Sequence, residues 1–314
     1  MGEKVLPSGD RDSMIVEIIE KAMTVPGVKV DRKDFLNKFF DSSDPERRAR
    51  IIEVGPVEAG CSREELLRLA KGLVNKRTLE SSSFSFAAGI PGGIAMAGTI
   101  PADLLQYYGF ALRLAQEIAY LYGAEDLWSD DGIDSDKVLG TFIVYLGTMF
   151  GASGASATLK TMSSALSQQA LKKIPNMALT KTFYYPIVKS IAQFFGKSMT
   201  KEVFAKGVAK AIPIIGGIAS GGLTLVSMRP MGMRLVYCLD DAKFDYAEED
   251  LEQDIIEIKE VIAAEEERER EVEEKAAESG QTPDEALEKM KSLLDGGFID
   301  KAEYEAFAKR IKPE

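Results

Sequence analysis

The chain has no histidine among its 314 residues. The most frequent general base, the side chain that changes charge near neutral pH and the most frequent metal ligand are all missing. Cysteine is nearly absent too: Cys61 and Cys238 stand 177 positions apart. They offer neither a C-x₂-C metal spacing nor a disulfide framework, which fits a reducing compartment. Met1–Leu6 has no apolar h-region and reads as no secretory signal, and Leu6 stands where a myristoylation pattern requires Ser or Thr. Any route to a membrane is therefore expected to use internal segments. Acidic residues nearly vanish between residues 150 and 239, where Glu202 is the single acid against 11 Lys or Arg.

That gap belongs to a polarised charge. The whole chain carries −11, but residues 240–314 hold 26 acids and 11 bases, and the rest is slightly positive. A basic, apolar stretch is followed by an acidic tail, and the basic part suits anionic lipid headgroups, at about 1 kcal/mol per well-placed Lys or Arg. Nucleic acid responds to the same charge but is not the expected partner. The plainer reading is that the tail folds back and neutralises the body, within one molecule or between subunits.

What the chain has in quantity is glycine-rich apolar sequence. Three charge-free runs, Ser81–Ala102, Val138–Leu159 and Ala211–Met228, have lengths of 22, 22 and 18 residues. These lengths approach the roughly 20 residues needed to cross a bilayer as a helix. Each holds small residues four apart: Gly89 and Gly93, Gly147 and Gly151, Gly217 and Gly221. That spacing lets helix backbones approach closely, so these six glycines are expected to serve helix packing. Pro91, Pro101 and Pro213 interrupt two of the runs, which argues for broken hairpins rather than full spans.

The remaining sequence reads as helices. Apolar residues recur at helical spacing in Arg11–Met23, and Asp31–Phe40 is a second candidate. Ser62-Arg63-Glu64-Glu65 is a capping box, with Ser62 accepting from the backbone and Glu65 reaching back; its helix is expected to run to about Lys76. Ala102–Tyr122 reads as one helix, with Arg113 and Glu117 pairing on its surface. Val138 opens a further helix that softens at Gly151–Ser156. Arg229, Pro230 and Arg234 are expected to end the third apolar unit. Asp245–Ala277 is a long acidic helix with a short seam of Leu251, Ile255, Ile258 and Ile262. Thr282-Pro283-Asp284-Glu285 starts a last helical pair around Gly296-Gly297. The expected fold is all-α: a helical collar (1–80), a Gly-rich helical core (81–240), an acidic helix or linker (241–281) and a two-helix unit (282–314).

Ala87-Ala88-Gly89-Ile90-Pro91-Gly92-Gly93, Ile100-Pro101-Ala102-Asp103-Leu104 and Ala111-Leu112-Arg113 resemble the EcsC family. So do Ile212-Pro213-Ile214-Ile215-Gly216-Gly217 and Met231-Gly232-Met233-Arg234, and the likeness covers roughly residues 40–240. The family consists of largely uncharacterised bacterial proteins whose founding member is encoded beside an ABC transporter, and it has no assigned catalytic residues to carry over. Leu287-Glu288-Lys289-Met290, Leu293-Leu294-Asp295-Gly296-Gly297-Phe298-Ile299 and Glu303-Tyr304-Glu305 resemble a SHOCT-type short C-terminal domain, with Tyr304 in place of the usual Phe. That resemblance implies an oligomerising tail on a membrane- or envelope-related protein.

Candidate chemistry is sparse. Glu125, Asp126, Asp130, Asp131, Asp134 and Asp136 lack the D-x-[DN]-x-[DN]-G order of a calcium loop and read as a solvated loop. Asp103 with Arg113 reads as a functional pair or, more simply, as an acid at a helix N-terminus. Gly89–Gly93 is followed by no Lys, unlike a P-loop. No catalytic residue, metal or cofactor is expected. The expected function is non-enzymatic: membrane association at the inner face of the cell membrane. Lys172, Lys173, Lys181, Lys189, Lys197, Arg229 and Arg234 would contact lipid, and the Gly-rich hairpins would dip into the leaflet. Leu287, Met290, Leu294, Tyr304 and Phe307 would mediate self-association, the acidic helix and tail projecting into solvent. The alternative is a soluble scaffold or regulator, for example of a transporter, with a protein partner and apolar runs that form a buried core.

Overall fold

The fold is all-α. The structure, a computed structural model, describes residues 8–80, 102–128, 135–173, 184, 186–189, 191, 221–278, 287–288, 290–292, 294, 304 and 308. The expectations placed on Gly89, Gly93, Gly217, Lys181, Lys197, Glu202 and Phe307 lie outside these residues. Among them every regular element is a helix: α1 (Ser8–Met23), α2 (Arg32–Phe39), α3 (Pro45–Val54), α4 (Arg63–Glu80), α5 (Ala102–Leu121), α6 (Ser135–Phe150), α7 (Ala155–Ser163), α8 (Ser167–Lys173), α9 (Gly221–Phe244) and α10 (Glu248–Glu278).

Local chemistry sets the helix ends. Asp31 caps α2 by accepting the Asp34 N–H at 2.7 Å. Asp44 accepts from Glu46 and Arg47 ahead of Pro45, the first residue of α3. Ser62 accepts the Glu65 N–H at 3.2 Å, as the capping box requires. The reciprocal half of the box is not made: the Glu65 carboxylate turns to Arg47 at 2.6 Å, a charge-assisted bond stronger than one to a neutral amide. That helix continues four residues beyond the expected end, to Glu80.

A single core runs from Ile15 to Leu239, so the N-terminal helices share one interior with α5, α6, α7 and α9. At its centre α5 packs against α1, α2, α4, α6 and α9, while α9 packs against α4, α5, α6 and α7. α1 contributes Ile15, Ile18, Ile19 and Ala22, one apolar stripe at helical spacing. α6 is different, being buried on all sides from Val138 to Phe150. A helix apolar all round needs cover all round, and here protein supplies it. The α6 part of the second apolar run therefore faces the core of the protein. Among the described residues no helix is long and apolar enough to cross a membrane.

The interior holds charge. Glu117 is fully buried on α5. Arg77 of α4 grips it through Nε at 2.6 Å and Nη2 at 2.7 Å, and donates from Nη1 to Glu80 at 2.6 Å. Arg113 adds a third contact at 3.2 Å and donates from Nη1 to the Gly27 carbonyl at 2.5 Å. The Arg113–Glu117 pair forms as expected, but in the interior rather than on the surface. Burial works against the Arg77 charge; the hydrogen bonds and charge of Glu117 outweigh it and raise the pKa. Losing one partner of such a pair costs about 3–5 kcal/mol, because the other is left buried and charged. Beside it, Gln116 satisfies its whole amide. Oε1 accepts from the Val30 N–H and from Trp128 Nε1 at 2.7 Å, and Nε2 donates to the carbonyls of Val28 and Leu112.

Two departures from the expected elements are informative. Pro230 does not end the third apolar unit; α9 runs through it for 24 residues. One lost backbone bond is outweighed by packing, with Met228, Met231, Leu235, Val236 and Leu239 buried along the same helix. The acidic helix does not project into solvent over its first half: Leu251, Ile255 and Ile258 pack with Ala157 and Ala170 in a satellite core on α7 and α8. Its short seam is used within the chain.

Gly147 and Gly151 prove unlike each other. A Cβ on Gly147 would lie 2.4 Å from Ile187 Cγ2 and 2.9 Å from Ala155 Cβ, so Gly147 serves close packing. Gly151 does not; its φ of 76° ends α6. Gly151 N–H donates to Thr148 O at 3.1 Å and Ala152 N–H to Gly147 O at 2.8 Å, a Schellman motif that needs the left-handed residue. A Cβ on Gly72, in α4, would meet nothing within 4 Å. Gly147→Ala is expected to destabilise by about 1–3 kcal/mol through overpacking. Gly72→Ala is expected to stabilise by about 0.5–1 kcal/mol through helix propensity. Urea unfolding of the two variants checks both signs; equal shifts would show that α6 is not packed as described.

Candidate functional site

Among the described residues of the basic stretch, Lys160 of α7, Lys173 of α8 and Lys189 meet acids of α10. Lys160 of α7 is drawn between two acids, with Nζ 3.4 Å from Asp241 and 3.5 Å from Asp254. Its ammonium also sits 5.5 Å from the Tyr246 ring centroid, and the Tyr246 hydroxyl donates to Asp254 at 2.7 Å. Burial by itself lowers the Lys160 pKa; the charges of Asp254 and Asp241 prevail and raise it. Lys160 is thus held as a cation.

The other contacts follow the length of α10. Lys173, at the end of α8, lies 3.3 Å from Glu252, and both side chains are exposed. Pairs of that kind contribute about 0–1 kcal/mol. Lys189 pairs with Glu265, a carboxylate only 8% exposed that also lies 3.6 Å from Arg268. Gly154, with a φ of 74°, precedes α7 and brings no side-chain cap. Its N–H donates to Glu257 Oε1 at 3.2 Å. A carboxylate from α10 thereby occupies the positive end of α7, where an anion is favoured.

The residues expected to contact lipid divide accordingly. Lys173 and Lys189 face acids of α10, and Lys172 lies in α8. Arg229 donates to Asn75 Oδ1 at 2.9 Å. Arg234 donates to the Met149 carbonyl at 2.9 Å, closing the C-terminus of α6. Gly221 opens α9. In the tail, Leu287, Met290, Leu294 and Tyr304 are helical and half-buried. Arg113 has Glu117 and the Gly27 carbonyl as partners.

Sequence reasoning missed the acids that complete this surface. Lys160, Asp254, Glu257 and Glu265 carried no motif. One signal was present: Asp254 and Glu265 fall on the spacing that continues the Leu251, Ile255, Ile258, Ile262 seam, so they lie on its inner side. Between α7 and α10, Gly154, Thr158, Ile187, Ile258 and Val261 line a recess of about 10 Å³, room for about one water. Among the described residues no three His, Cys, Asp or Glu side chains are grouped to hold a metal ion. Cys238, beside Lys160, is pushed up to about 12 by burial, against the pull of the lysine, so it stays a thiol rather than a nucleophilic thiolate.

No family model, no curated protein and no solved structure matches this chain.

The raised pKa of Cys238 carries a sign for stability. The folded form prefers the protonated thiol, so this contribution is complete below the ordinary thiol value near 8.5 and is lost as pH rises toward about 12. Stability by urea unfolding is expected to fall more steeply between pH 8.5 and 10.5 in the wild type than in Cys238→Ala. Parallel curves would contradict the burial assigned to this thiol.

Proposed function

We propose that the protein is a non-enzymatic, membrane-associated helical protein that engages the anionic cytoplasmic leaflet through the basic surface of residues 150–239. The observation that carries this reading is the excess of 11 Lys or Arg over one acid in that stretch, set against an acidic remainder. Among the described residues of the stretch, α7, α9 and the buried Tyr184, Ile187, Val188 and Ile191 pack on the helical body and support this reading. The Gly-rich sequence at 81–101 and 211–220 supplies apolar contact with the leaflet, whereas α6 is committed to the protein interior. The C-terminal two-helix unit mediates assembly. Each lysine near an anionic surface contributes about 1 kcal/mol, attenuated by salt.

A second reading is favoured by the burial of α6 and by the ion pairs of α10: a helical scaffold or regulator that binds a protein partner and keeps its apolar sequence as core.

Flotation of the purified full-length protein with anionic and neutral vesicles, at low and high salt and without detergent, separates the two. The membrane reading expects flotation with anionic vesicles only, weakened by salt. Flotation that resists salt would assign the main contact to the apolar runs. A folded protein that stays at the bottom in every condition overturns the membrane reading and leaves the scaffold.

A further inference from the structure

Four carboxylates of α10 occupy four positive positions of one surface: Glu252 at Lys173, Asp254 at Lys160, Glu257 at the Gly154 N–H and Glu265 at Lys189. An anionic headgroup presents the same chemistry to the same groups, oxygen-borne negative charge met by ammonium and backbone N–H donors. α10 and a headgroup layer therefore cannot both hold these positions.

The attachment of α10 is of a kind that opens. Its apolar contacts centre on a small satellite cluster of Leu251, Ile255 and Ile258 with Ala157 and Ala170, extended by Ile262 and by Val261 beside Gly154. The outer pair, Lys173 with Glu252, is exposed, and so is Glu257. Elements with a small apolar contact and solvated polar bonds are the ones that detach below the global unfolding free energy. The inner contacts, Asp254 with Lys160 and Glu265 with Lys189, fix the register in which α10 returns.

We infer that α10 is a displaceable acidic cover, which occupies Lys173, Lys189 and the Gly154 N–H, and shares Lys160 with Asp241 of α9, until an anionic membrane competes it away. The inference rests on the membrane reading above and adds its regulation. The segment beyond residue 265 contributes further acids, Glu266, Glu267, Glu269 and Glu271, which an anionic surface repels once the cover has lifted.

The test is flotation of the full-length chain with vesicles of phosphatidylserine in phosphatidylcholine, at low salt. The double variant Glu252→Gln/Glu257→Gln removes two exposed cover contacts. It is expected to bind about fivefold more tightly than the wild type, the equivalent of one freed lysine. Neutral vesicles are expected to bind neither. Lys173→Gln/Lys189→Gln breaks the same cover from the other side and is expected to bind more weakly than the wild type. Helical circular dichroism and a melting curve establish that each variant is folded; Glu257→Gln alone serves if the double variant is not. Equal binding by wild type and cover variant overturns the cover while the membrane reading stands. Tighter binding by the lysine variant also overturns it, because loosening rather than unmasking would be responsible. Absence of binding by every folded variant overturns the membrane reading and the cover with it.

Discussion

The fold depends on neutralising one buried carboxylate. Glu117 lies near the C-terminal end of α5 with no exposure, and only the forked grip of Arg77 with the support of Arg113 makes a charge tolerable there. That requirement fixes the approach of α4 to α5, since a guanidinium must reach its partner with both nitrogens. It also brings in the 24–31 loop, because Arg113 ends on the Gly27 carbonyl. The adjacent Gln116 completes the arrangement by holding Val28, Val30 and Trp128. Helix α9 then crosses both α4 and α5 at Gly232, where a Cβ would stand 3.0 Å from Val74 and 3.2 Å from Leu114.

The same principle operates at the periphery with a different outcome. Lys160 and Lys189 are half-buried, and they too need partners: α10 supplies Asp254 and Glu265, and α9 adds Asp241 at Lys160. The difference lies in the surroundings. Glu117 is enclosed by the main core, whereas the α10 contacts sit over a small satellite cluster and partly in water. Charge neutralisation in the centre is permanent on the lifetime of the fold; at α10 it is exchangeable for another source of negative charge. A chain with −11 overall can therefore present a basic surface or conceal it without changing its core.

Much of the fold was legible from local pattern. α1, α2, α5, α6 and α10 follow from apolar spacing and caps, and the break at Gly151 from the glycine itself. α3 was overlooked although Asp44-Pro45-Glu46 carries an N-cap followed by Pro at the first helical position. Pro230 misled in the other direction, because a local rule about proline says nothing of the packing that holds α9 together. The site was legible only as an imbalance of charge. Arg77 and Glu117 are 40 positions apart, and Lys189 and Glu265 are 76 apart. Which lysine meets which acid depends on the route of the chain between them, and no periodicity records that route. The small residues at Gly147 and Gly151 show the same limit: identical residues at the spacing of a packing motif, one of them serving a helix end.

In the proposed regulation, α10 and an anionic membrane compete for one basic surface. Amide hydrogen exchange of the full-length protein, followed with and without phosphatidylserine vesicles, reads this directly at residues 248–265. Displacement of α10 predicts faster exchange there when the protein is bound, with exchange in α5 and α6 unchanged and no effect of neutral vesicles. Exchange in 248–265 that stays as slow, or becomes slower, on vesicles that demonstrably carry the protein would contradict it.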